Sequence, residues 1–133
     1  MGQEVRLRDQ QCAHGGFAHI GQSVVFGQLR WYRSTFCPQC KPTEEDGDGL
    51  PPEEFRRLLL NDGGYWEVRA QAGSRPAVVI RIVKSVLGLS NAEAFAQMRQ
   101  FPTVFQGTQT EAEWVQGHLA AASISASVLE MGA

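Results

Sequence analysis

The sequence predicts an α+β protein in two parts: an N-terminal β hairpin bracketed by cysteines over residues 1–43, and a βααβαβ domain over residues 65–133, with three helices on one face of a three-stranded sheet. Three observations lead there. All 3 cysteines, Cys12, Cys37 and Cys40, bracket or follow "FAHIGQSVVFGQLRWYRSTF", a stretch rich in β-branched and aromatic residues. From Tyr65 onward, helical and alternating apolar patterns succeed one another. Between the two parts lies "TEEDGDGLPP", a block of acidic and turn-forming residues.

In the first part, Gly21 and Gly27 interrupt the apolar stretch, which reads as a short antiparallel hairpin or meander. Residues 44–64 read as an acidic linker and a short helix. In "EEFRRLLLND", Phe55, Leu58 and Leu59 share one helical face, Pro51 or Pro52 suits the first turn, and Gly63 and Gly64 stop the helix. "EEDGDG" resembles the start of a calcium loop. The residue that should be a bidentate Glu is, however, Phe55 counting from Glu44 and Arg57 counting from Asp46. The acids are then a solvated helix entry favoured by the helix dipole.

In the second part "YWEVRA" reads as a strand, and "QAGSRP" as a turn with Ser74 or Gly73 near a helix cap and Pro76 in the first turn. "AVVIRIVKSVLGLS" has the β-branched residues of a strand but the period of a helix. Arg81, Lys84 and Ser85 fall on one face, Val79, Ile82, Val83 and Val86 on another, and Gly88 ends it. Ser90 with Glu93 forms a capping-box start for "AEAFAQMRQ", which breaks at Pro102. "TVFQG" follows as a strand, Thr110 and Glu113 start a third helix, "EAEWVQGHLAAA", and "SISASVLE" alternates as the last strand.

From about residue 77 to residue 129, with "YWEVRA" as a first strand, this ordered set resembles the C-terminal domain of the bacterial ribosomal stalk protein. The residues that carry the resemblance are Arg81, Lys84, Gly88, Leu89, Glu93, Ala94, Pro102, Thr110, Ala126 and Val128. It implies a helix face that docks protein partners such as translation GTPases through exposed basic side chains, Arg81 and Lys84 among them. Ala92 and Phe95 stand where that family usually carries lysines, and the N-terminal half lacks the stalk protein's helical anchoring region and Ala-rich linker. The resemblance therefore implies the domain reused for another binding task; the candidate partner-binding patch is Arg81, Lys84, Phe95 and Arg99, with a core position for Phe95 as the competing reading.

"CPQC" is one knuckle of a zinc ribbon, and a structural zinc needs four N or S ligands. The second knuckle should lie at "CAHGGF", where Gly15 occupies the usual place of a second thiol. His14, one residue nearer, completes a Cys3His set of Cys12, His14, Cys37 and Cys40. His19 is the alternative fourth ligand but falls inside the hairpin, and a decayed site without metal is the other reading. A thioredoxin-like redox pair is disfavoured because Cys40 runs into Pro42 and an acidic, Gly-rich stretch instead of a helix.

The net charge of -2 and charged content of 20% lack the basic excess of a general nucleic-acid binder. No apolar run reaches the roughly 20 residues of a membrane span, and "MGQEVRLRDQ" has no signal-peptide core, so the expected location is cytoplasmic, with no membrane partner. Catalytic motifs of the GxSxG, HExxH and P-loop kinds are missing, so no enzyme is expected. The function expected is a protein-binding adaptor or inhibitor, in its narrowest form an immunity protein that neutralises a bacterial toxin. The alternative is a nucleic-acid or ribosome-associated zinc ribbon acting through Arg30, Trp31, Tyr32 and Arg33, whose competing explanation is packing of alternating aromatics.

Overall fold

A computed structural model describes residues 2–131. The chain is α+β, with residues up to Gly63 in one compact unit and residues from Gly64 in a second. Each holds one antiparallel sheet, of four and of three strands.

The N-terminal unit is a four-stranded meander, β1 (Gly2–Arg8), β2 (Phe17–Val25), β3 (Gln28–Phe36) and β4 (Glu44–Asp48), in the order β1-β2-β3-β4, followed by helix α1 (Glu53–Gly63). It adds β1 and β4 to the hairpin or short meander expected over β2 and β3. Val5 and Leu7 alternate with Glu4, Arg6 and Arg8, a period of two that makes residues 2–8 a strand with one apolar face. The acidic run is also a strand and not a linker. Arg30 lies 2.9 Å from Asp48 and 3.6 Å from Asp46 across the β3–β4 pair. Gly47 is required there, because a Cβ would stand 2.7 Å from the Trp31 indole. Charge on an exposed edge strand also discourages pairing with other chains.

Helix α1 closes this unit by burying Phe55 and Leu59 against Ile20, with Val5, Leu7, Trp31 and Leu58 packed around them. The rings of Trp31 and Phe55 meet at 5.8 Å. Gln3 Nε2 donates to the Leu59 carbonyl at 2.7 Å, tying β1 to the helix end.

The C-terminal unit runs β5 (Trp66–Ala70), α2 (Pro76–Leu87), α3 (Asn91–Gln97), a 3-10 turn (Met98–Gln100), β6 (Thr103–Gly107), α4 (Gln109–Ala121) and β7 (Ala126–Glu130), with sheet order β6-β5-β7. Helix α2 buries Val79 and Val83, leaves Arg81 exposed and ends at Gly88 in the left-handed region, φ 65°. Its period outweighs its β-branched content because that stripe faces a core built with Val68, Val104, Val115 and Leu119. Ser90 caps α3 in a capping box with Glu93, and the Ser90 N–H donated to Glu93 holds that carboxyl below its usual range.

The start of α4 lies two residues earlier than the Thr110–Glu113 signal. Thr108 is the N-cap: its Oγ1 accepts from the Glu111 N–H at 3.1 Å, and the Glu111 carboxylate accepts from the Thr108 N–H at 3.1 Å. Both Thr-x-x-Glu pairs fit the capping spacing, but β6 ends at Gly107, so the first of them meets the turn. Thr108 and Glu111 are fully buried. Thr108→Ala is therefore expected to cost about 1–2 kcal/mol of unfolding free energy, the upper range for a lost cap. Urea titration followed by tryptophan fluorescence measures it, and an unchanged midpoint would count against this cap. Among the described residues no helix is long and apolar enough to cross a membrane.

Candidate metal centre

Strand register brings two loops together at one end of the N-terminal sheet. Arg8 pairs with Phe17 and Phe17 with Phe36, so the 9–16 turn and the loop after Phe36 emerge side by side. The first loop is closed by the Asp9 N–H to the Gly16 carbonyl at 2.9 Å and by the Asp9 carboxylate accepting from the Gln11 N–H at 3.0 Å. The second is a tight turn in which the Cys40 N–H donates to the Cys37 carbonyl at 3.2 Å.

Ligand atoms of Cys12, His14, Cys37 and Cys40 all lie within 4.8 Å of one another. An ion with tetrahedral bonds of about 2.0–2.3 Å holds its ligand atoms about 3.3–3.8 Å apart. Cys12 Sγ and Cys40 Sγ are 3.7 Å apart, and His14 Nδ1 is 3.3 Å from Cys40 Sγ. These four residues could therefore bind a metal ion.

Backbone amides support the sulfurs. The Gly16 N–H donates to Cys12 Sγ at 3.3 Å and the Gln39 N–H to Cys37 Sγ at 3.4 Å. The Gly16 contact leads in lowering the Cys12 thiol below its usual range, since a donor favours the thiolate. Cys40 is pushed up to about 12, first because its S–H is held by hydrogen bonds to the Cys37 and Cys12 sulfurs and only then by desolvation and their negative charge. An ion entering this group must displace thiol protons, so metal affinity is expected to fall as pH falls, which zinc-competition titrations at several pH values would show.

Backbone geometry explains why the second knuckle ends in histidine. Gly15 sits at φ 76°, and a Cβ built there meets only Arg8 Nη2, at 3.9 Å, away from the sulfurs. A cysteine at that position would be strained by the left-handed φ, a penalty that His14 avoids. We expect His14→Cys to retain metal and Gly15→Cys to add no ligand to a His14→Ala chain; recovery of metal by the Gly15→Cys, His14→Ala pair would contradict the geometry. Gly16 was not singled out by spacing, although the double glycine of "HGGF" was its signal. A Cβ on it would lie 2.8 Å from Cys37 Cβ and 3.0 Å from Cys12 Sγ.

The other sequence candidates lie elsewhere. His19 is outside the cluster, on β2, with Nδ1 3.1 Å from Glu4 Oε1. Arg30 is engaged by Asp46 and Asp48, and Arg33 lies 3.5 Å from Asp9. Trp31 packs on Phe55, and Tyr32 donates its hydroxyl to Glu4 and lies over Gly21. These four residues thus have partners within the chain and alternate between the two sheet faces, an arrangement that packing accounts for.

In the C-terminal unit Arg81 and Arg99 are exposed, Lys84 Nζ donates to Asn91 Oδ1, and Phe95 on α3 is 72% exposed. His118 stands edge-on to Trp114 at 5.8 Å. Fold and site together define a two-unit α+β chain whose N-terminal unit carries a Cys3His ligand cluster. No family model, no curated protein and no solved structure matches it.

Proposed function

We propose that the chain is a non-enzymatic, cytoplasmic protein-binding module, an adaptor or inhibitor that docks a protein partner on the helical face of its C-terminal unit. The observation that carries this reading is Phe95: a large apolar side chain, 72% exposed, on the same short helix hairpin as Arg81, Lys84 and Arg99. Exposing a phenylalanine brings no stability, whereas an exposed aromatic and exposed arginines on one helix hairpin have the composition of an interface hot spot. The likeness of the 77–129 pattern to the ribosomal stalk C-terminal domain points the same way, toward a translation factor; the narrow form, a bacterial toxin held inactive by an immunity protein, rests on the small size and acidic balance of the chain.

In this reading the ion is zinc and its role is structural. Three thiolates and an imidazole in a tetrahedral arrangement favour zinc, and four protein ligands leave no position for a catalytic water. Zinc then staples the knuckle end of a unit too small to depend on its core alone.

Affinity capture from a native lysate tests the function, comparing wild type with Phe95→Asp and Arg81→Glu. A nuclease-resistant, stoichiometric protein lost by both variants, with calorimetry on the purified pair reproducing that loss, is the expected result. A partner retained at full affinity by Phe95→Asp would overturn the docking face.

A further inference from the structure

The N-terminal sheet has a second face that α1 does not cover. Val5, Leu7, Ile20 and Trp31 turn toward the helix, so their strand neighbours turn away from it. On that open face, register aligns Arg8, Phe17 and Phe36 in one row across three strands, and Arg6 with His19 in the next. Phe17 is 38% and Phe36 61% exposed, and the Arg6 guanidinium lies 3.9 Å from the Phe17 ring centroid.

Charge is divided along the strands. Cations Arg6 and Arg8 sit at the end where the metal knuckles lie. Toward the opposite end, Asp46 and Asp48 are engaged by Arg30, and Glu4 by His19 and Tyr32. Glu44, opposite Ser34, marks the β4 edge of the cationic end.

We infer that this row is a platform for a short stretch of single-stranded nucleic acid, separate from the partner face of the C-terminal unit. Exposed aromatic rings on adjacent strands offer π faces to unstacked bases, and guanidinium groups near them serve both phosphates and base faces. Phe36 takes a base on its open ring, the Arg6–Phe17 stack takes its neighbour, and Arg8, on the β1 side of Phe17, meets the backbone phosphate beyond it. A duplex keeps its bases out of reach of such rings. A second copy of the chain would need about 800 Å² per partner for a stable contact, and two rings supply a small part of that.

The whole 133-residue chain, zinc-loaded and freed of nucleic acid, tests this by fluorescence anisotropy at low salt. The probes are fluorescein-labelled oligothymidylate and oligouridylate of about twelve nucleotides and a duplex of equal length. We expect both or one of the single strands to bind more tightly than the duplex, the stronger of them identifying DNA or RNA as the source. Phe36→Ala weakens binding about 5- to 150-fold, Phe36→Trp retains it, and Phe17→Leu, which keeps apolar bulk without a π face, weakens it as well. Arg8→Gln lowers the dependence of log affinity on log salt by about 0.7. Phe26→Asn, at the far hairpin tip, is the control. The inference is overturned if no strand binds, if the duplex binds as tightly and Phe36→Ala makes no difference, or if sedimentation shows a Phe36-dependent dimer without oligonucleotide binding.

Discussion

Cys37→Ser is expected to abolish metal uptake by the N-terminal unit and lower the unfolding temperature of that unit, relative to the metal-loaded wild type, by roughly 15–30 °C. Cys37 is the most buried of the ligands, 8% exposed, and its sulfur already accepts the Gln39 amide. A serine hydroxyl is shorter and stays protonated at neutral pH, so it supplies neither the reach nor the charge of a thiolate. An ion bound to the folded state alone, at a thousand times its dissociation constant, contributes about 4 kcal/mol. Scanning calorimetry with elemental analysis of the same sample measures both losses. A chelator should reproduce the shift in wild type and add nothing to Cys37→Ser. The C-terminal unit, with its own core of Val68, Val104 and Leu119, should keep its transition.

Gly16→Ala should have the next largest effect at this end of the molecule. Its Cβ would stand 2.7 Å from the Phe36 carbonyl oxygen and 2.8 Å from Cys37 Cβ, both on the opposite knuckle and neither at the free end of a flexible side chain. The two loops must part to admit it. Such overpacking costs about 1–3 kcal/mol, and moving the Gly16 amide from Cys12 Sγ should weaken metal binding about 10- to 100-fold. Gly15→Ala is the contrast: its Cβ faces space, so only the left-handed φ is penalised, by about 1–2 kcal/mol, with metal affinity kept. A chromophoric chelator in competition ranks the variants, and equal metal affinity of wild type and Gly16→Ala would refute the tight approach of the knuckles.

Much of this was legible in residue pattern. Helix α2 was readable because Arg81, Lys84 and Ser85 keep helical spacing within a β-branched stretch, and Ser90 with Glu93 announced α3. The cluster of Cys12, His14, Cys37 and Cys40 followed from knuckle spacing across a hairpin. Strand β4 was hidden because acidic residues signal solvent; only pairing with Arg30 and the close fit of Gly47 on Trp31 makes that run an edge strand. Strand β1 was missed for the opposite reason, since two apolar residues in seven give too weak an alternation until α1 covers them. Thr108 lost to Thr110 because both pairs meet the capping rule, and only the end of β6 distinguishes them. Phe95 could be core or surface by sequence, because its exposure depends on which face of α3 meets the sheet.

Metal stoichiometry and affinity of the purified chain bear most directly on the four-residue centre. Titration with cobalt(II), whose thiolate charge-transfer and ligand-field absorption report three sulfurs and one nitrogen in a tetrahedron, should saturate at one ion per chain, displaced by one zinc. His14→Ala should bind far more weakly and His19→Ala as wild type does. A wild-type chain that takes up no ion, or a His14→Ala chain with undiminished affinity, would contradict a Cys3His centre.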